Sequence, residues 1–201
     1  MLISNRCVEI FEDIIMNKLI VLVSAFRNAI DQAKKSGNLD SDFLFCKFPH
    51  GCCRDTSYLL AEYLLKNDIN TILYSADRDG YTHAWLVVKD QRVLEPIMHN
   101  VTVPDNINEL INLYSGNAIE NNTNDVNYRY EKKCFEESII IDITGDQFDD
   151  YDESVYVGCF DRFHDGFAFL EATDFEGMCT LNEECQKRMY KIYETITQYM
   201  L

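Results

Sequence analysis

Cys52 and Cys53 close the segment Phe48-Pro49-His50-Gly51-Cys52-Cys53. They stand directly before Arg54 to Lys66, a run with Leu60, Ala61, Leu64 and Leu65 on one side of a helix. A thiol at a helix N-terminus lies among unpaired backbone N–H groups at the positive end of the macrodipole, which lowers its pKa from a free value of about 8.5. The same amides can donate to an oxyanion, and Gly51 lets a substrate approach the backbone. This placement suits a nucleophile, provided that a base shares the proton and a third group orients the base. Cys53 shares a helical stripe with Ser57, Leu60, Ala61 and Leu64, the face expected to pack on a sheet, whereas Cys52 shares its side with Thr56, Leu59 and Tyr63. Cys53 is favoured, and Cys52 remains an alternative.

The base is sought on Tyr81 to Val88, where strand alternation places His83, Trp85 and Val87 on one side and Thr82, Ala84, Leu86 and Val88 on the other. A histidine beside a tryptophan is ordinarily structural. It reads as a general base once a carboxylate on a neighbouring strand fixes its tautomer. Asp142, within Ser138-Ile139-Ile140-Ile141-Asp142-Ile143-Thr144, meets that requirement, because a carboxylate buried in an apolar strand needs a partner to offset its desolvation. Alternatively, Asp142 ends the strand and caps a turn with Thr144. Asp146 and Glu95 are rival third members.

These segments together resemble the transglutaminase-like superfamily of papain-like cysteine hydrolases and acyltransferases. They are most similar to bacterial proteins with FPxGxC, HAW and DxTxDQF motifs, here Phe48 to Cys53, His83-Ala84-Trp85 and Asp142 to Phe148. The resemblance covers about residues 48–88 and 138–165. It implies a Cys53–His83–Asp142 triad, with the cysteine heading a helix and its partners on adjacent strands. It also implies acyl-enzyme chemistry at an amide or thioester, by hydrolysis or transfer, as in peptidases, amidases, deamidases and transglutaminases. Gln147 belongs to the third motif. His164, in Phe163-His164-Asp165-Gly166-Phe167, matches a downstream histidine and is expected to support the site. The immediate pairing of Cys52 with Cys53 and the long segment after residue 96 depart from the pattern.

The elements that must position these groups read as α+β, a nucleophile-bearing helix on a central antiparallel sheet with additional N- and C-terminal helices. Ile10, Ile14, Ile15, Leu19, Leu22, Val23, Phe26 and Ile30 recur at helical spacing over about residues 8–35, and Lys34-Lys35-Ser36-Gly37 stops the helix. Ile69 to Tyr74 and Tyr81 to Val88 form a predicted hairpin around Asp77-Arg78-Asp79-Gly80, with a third short strand at Arg92 to Leu94. An Asn-rich, polar stretch at about 96–137, with one helical pattern near Ile107 to Tyr114, reads as an insertion in a single domain spanning 1–201. Ser138 to Thr144 and Ser154 to Phe160 are predicted strands. A last helix over Asn182 to Tyr199 follows the capping-box pattern Thr180-Leu181-Asn182-Glu183.

With 34 acidic and 18 basic residues, the net charge of -16 argues against nucleic-acid and anionic-membrane partners and favours a protein or peptide substrate of basic character. The same charge, with the run Asp146, Asp149, Asp150, Asp152 and Glu153, supports the alternative of a non-catalytic acidic binding module, of inhibitor or immunity type. The N-terminal apolar stretch is interrupted by Glu9, Glu12, Asp13, Lys18 and Arg27, so it reads as an amphipathic helix, neither signal nor span. A cytoplasmic chain with eight reduced cysteines follows, and no ligand spacing implies a metal or organic cofactor.

Overall fold

The computed structural model describes residues 5–100 and 126–200. Helix α1, Asn5–Lys35, turns Leu19, Val23, Phe26 and Ile30 inward, and it ends where Gly37 takes φ 75° and Asn38 N–H reaches back to the Ala33 carbonyl. Helix α2, Cys53–Leu65, follows the tight turn at Gly51. Strands β1, Thr71–Arg78, and β2, Tyr81–Val88, form a hairpin closed by Asp79 and Gly80, both at positive φ, as a two-residue turn between right-twisted strands requires.

Strands β3, Ile97–Asn100, and β4, Val126–Arg129, pair as a separate two-stranded sheet. Then follow β5, Ile140–Asp142; β6, Tyr156–Gly158; the short helix α3, Arg162–Asp165; β7, Ala168–Asp174; and α4, Glu183–Thr197. The main sheet is antiparallel throughout and runs β6-β5-β2-β1-β7, so the chain is α+β.

Alternation along the central strands divides the interior in two. Leu73, Ala84, Leu86, Val88 and Ile141 face α1, α2 and α4, whereas Ile72, Tyr74, Trp85, Val87 and Ile140 face an aromatic cluster with Phe135, Phe163 and Phe167. Tyr130, Cys134 and Phe135, within the segment read as an insertion, are built into that second core. The helical pattern near Ile107 to Tyr114 lies outside the described residues.

Several expectations are corrected. Arg92 to Leu94 is a turn rather than a strand, because Asp90 Oδ1 accepts the Arg92 N–H at 2.9 Å and the Asp90 carbonyl accepts the Val93 N–H. The cap of α4 is Asn182, whose side chain accepts the Cys185 N–H, whereas the Thr180 hydroxyl donates to the Gly177 carbonyl. Strand β7, which pairs with β1 across a bulge at Ser75/Ala76, was not anticipated. Its mixed pattern of exposed and half-buried residues is that of an edge strand and gives no clean period.

Candidate active site

The site forms where β5 leaves the sheet. In the β2–β5 register Leu86 pairs with Ile141 and Val88 N–H donates to the Ile139 carbonyl, so the next rung would join Ala84 to Ile143. That rung is not made. Asp142 Oδ1 accepts the Thr144 N–H at 2.8 Å and the Thr144 hydroxyl at 3.2 Å, which turns the chain, and the Ile143 carbonyl accepts from Arg27 Nη1 at 2.7 Å. The first turn of α2 occupies the vacated edge. The Ser57 hydroxyl donates to the Ala84 carbonyl at 3.2 Å, and the Ala84 N–H is directed at the Cys53 sulfur.

Cys53 thus reaches the β2 edge from the helical side, and His83, on the other face, meets it there. His83 Nε2–H donates to Asp142 Oδ2 at 2.7 Å, with His83 1 % and Asp142 2 % exposed. This leaves Nδ1 as the ring nitrogen toward Cys53. Burial lowers the His83 pKa, but the Asp142 charge and hydrogen bond, with Cys53 beyond, raise it from the ordinary 6.5 to about 9. Burial would push the Cys53 thiol up, yet donation from His83 and from the Ala84 N–H brings it below its usual range. Burial likewise opposes the charge of Asp142, and the two histidines against it hold its carboxyl well below the carboxylate range. Both shifts run toward thiolate and imidazolium, whereas the Gln147 Nε2 amide, 3.1 Å from Nδ1, suits the neutral ring. Among the described residues, no side chain caps α2, so its first-turn N–H groups remain open to an anion.

Cys52 is directed elsewhere. It is the N-cap residue, buried in the helical core against Thr56, and burial pushes its thiol up to about 12. Gln147 bridges the two motif loops: its Oε1 accepts the Gly51 N–H at 3.3 Å, its Nε2 donates to the Thr144 carbonyl at 2.9 Å, and the same Nε2 stands 3.1 Å from His83 Nδ1. Trp85 packs beside His83 with ring centroids 5.4 Å apart.

His164 is fully enclosed, with Nε2 3.3 Å from Asp142 Oδ2 and Nδ1 2.7 Å from Asp161 Oδ1. It meets the same Asp142 oxygen as His83. Asp142 thus uses one oxygen to turn the chain and presents the other to the two imidazoles. Asp146 is instead paired with Arg27 at 2.7 Å, and Glu95 is exposed.

Cys53 opens on a cleft of about 330 Å³ lined also by Arg54, Ser75, Thr82, Leu170 and Glu171, with Arg54 and Glu171 paired at 2.7 Å. Of the acidic run, Asp150 pairs with Arg78, while Asp149, Asp152 and Glu153 are exposed. Among the described residues no group of His, Cys, Asp and Glu could hold a metal ion, no helix is long and apolar enough to cross a membrane, and Cys46, Cys52, Cys53, Cys134, Cys159, Cys179 and Cys185 are free thiols.

Arg27, in sequence only a charge interrupting an apolar stretch, joins the site through these contacts. Its spacing from Val23 and Ile30 places it on the buried stripe of α1, and a charge there was the available signal. Comparison with family models, with curated proteins and with solved structures finds no match. The functional reading accordingly rests on the geometry of the site.

Proposed function

We propose that the chain is a cysteine-dependent acyl-transfer enzyme of transglutaminase-like, papain-like organisation, in which Cys53 is the nucleophile, His83 the acid–base and Asp142 the orienting carboxylate. One observation carries the reading: a cleft-lining thiol at an uncapped helix N-terminus, beside an imidazole whose far nitrogen is fixed by a buried carboxylate. Trp85 and Phe148 pack around the imidazole, and Thr144, Gln147 and His164 fix the groups behind it.

The thiolate adds to the carbonyl carbon of an amide or thioester. The first-turn N–H groups of α2 receive the oxyanion, each such donor contributing about 3 kcal/mol to the transition state. On collapse, His83 imidazolium gives its Nδ1 proton to the leaving amine or thiol, and the acyl group stays on Cys53. The neutral imidazole then takes a proton from water or an acceptor amine, which attacks the thioester and restores the thiolate. Asp142 remains ionised throughout and keeps the Nε2 proton in place. No step calls on a metal or organic cofactor. The net charge of -16 suits a basic protein or peptide substrate in the cytoplasm.

The test is site-resolved alkylation by iodoacetamide between pH 6 and 7, read by peptide mass spectrometry. Cys53 should react far faster than the other seven cysteines, and His83→Ala should remove that advantage. Uniform slow labelling favours the second reading, a non-catalytic module that offers Asp149, Asp152 and Glu153 to a basic partner.

A further inference from the structure

Every contact around Ala84 is explained once the missing rung is traced to its cause. In an antiparallel ladder the Ala84 N–H and carbonyl would both be satisfied by Ile143. They are satisfied by α2 instead, from two side chains one helical turn apart: the Ser57 hydroxyl on the carbonyl and the Cys53 sulfur on the N–H. The displaced Ile143 carbonyl is buried and must find another donor. Arg27 is that donor, at 2.7 Å, and the same Nη1 reaches the Ser154 carbonyl at 3.0 Å. Its fork is fixed by Asp146, at 2.9 and 2.7 Å, and by Asp31 at 3.0 Å, and its guanidinium lies 4.7 Å from the Phe48 ring centre in the loop leading to Cys53. One side chain from α1 thereby grips the loop after Asp142, the loop before β6 and the loop before the nucleophile.

We infer that Arg27 is a positioning residue for the nucleophile: by holding the Ile143 carbonyl it ends the β2–β5 ladder one rung early and leaves the Ala84 N–H to the Cys53 sulfur. This deepens the acyl-transfer reading and rests on it. The role needs the planar fork of arginine and not merely its charge, because the Ile143 and Ser154 carbonyls and both Asp146 oxygens are bound together. A lysine could serve only part of this set.

The full-length chain carrying Arg27→Lys or Arg27→Met is compared with wild type by the pH dependence of Cys53 alkylation with iodoacetamide. The core variant Ile192→Ala serves as a control for lost stability. Both Arg27 variants should alkylate about tenfold more slowly at pH 7, the effect of losing one hydrogen bond to a charged acceptor, with the thiol's titration moved upward. Ile192→Ala should keep the wild-type rate while folded. A wild-type rate in folded Arg27→Lys overturns the inference by reducing the role to charge, and a wild-type rate in both overturns it entirely.

If neither Arg27 variant folds, the amide resonance of Ala84 in wild type and Cys53→Ala decides. The inference requires that it titrate with the Cys53 thiol and shift strongly when the sulfur is removed; indifference to both contradicts it. Should wild-type Cys53 itself react no faster than an ordinary thiol, the acyl-transfer reading fails. Fast wild-type labelling that survives in the Arg27 variants removes only the role given to Arg27.

Discussion

Replacing Asp142 by asparagine preserves the shape of the site and reverses its proton arrangement. Asp142 Oδ1 accepts from the Thr144 N–H and hydroxyl, so the oxygen of the new amide must remain there. Its NH2 group then faces Nε2 of His83 and of His164, at positions where the carboxylate accepts at 2.7 and 3.3 Å. His83 Nε2 must become an acceptor, its proton moves to Nδ1, and no lone pair is left to take the proton of Cys53. The electrostatic loss adds to this. Burial lowers the His83 pKa and Asp142 is the largest influence that raises it, so without the carboxylate it falls from about 9 toward the ordinary 6.5. A fall of about two pKa units is on the order of 3 kcal/mol, about a hundredfold in the equilibrium constant between ion pair and neutral pair.

Folded Asp142→Asn should therefore alkylate at Cys53 at least about tenfold more slowly than wild type at pH 7. The proton resonances of the His83 ring should show a titration moved to acid. If the folded variant alkylates like wild type, or His83 still titrates near 9, Asp142 does not set the state of the imidazole.

Other outcomes follow from the same geometry. Cys52→Ala should leave the fast alkylation intact and Cys53→Ala should abolish it, since burial holds the Cys52 thiol at about 12; peptide mapping distinguishes the two. In Cys53→Ala, His83 stays raised by Asp142 against the effect of burial. Its contribution to stability is complete below the unfolded value of 6.5 and is lost as pH rises through its raised folded value, so the melting temperature should fall over that interval. Wild type should be flatter there, because Cys53, held low, binds fewer protons than the unfolded chain and contributes the opposite slope. Arg188→Met removes the fork that joins α4 to Asp42, at 2.8 and 2.9 Å, and to Asp55 in the first turn of α2, at 2.6 Å. Urea unfolding should show a loss of about 2 kcal/mol from the unpaired carboxylates.

Much of the site is legible in the sequence because its members sit on strongly patterned elements. The stripe of Ser57, Leu60, Ala61 and Leu64 orients α2, alternation in β2 separates His83 from Ala84, and an aspartate in an isoleucine run signals a buried partner. The Asp142 rung itself is not legible. Ile143 and Thr144 continue the β-branched pattern, and only the capture of their backbone groups by Asp142 and Arg27 ends the strand at Asp142.

Apart from Asp31 on the same helix, the partners of Arg27 lie 116, 119 and 127 residues away, beyond any local period. Strand β7 was hidden for a related reason: at a sheet edge, with Leu170 and Glu171 exposed, it has no buried face to impose alternation. Asp90 made a turn of Arg92 to Leu94 through a side-chain bond that competes with strand pairing, a contest residue types alone leave undecided.

The most direct measurement is the thiolate absorbance of Cys53 near 240 nm as a function of pH, taken as the difference between wild type and Cys53→Ala and repeated in His83→Ala. A thiolate formed well below the ordinary thiol value of about 8.5 in wild type, and shifted above it in His83→Ala, is the result expected of a Cys53–His83 pair anchored by Asp142. A wild-type titration at or above the ordinary thiol value would contradict it.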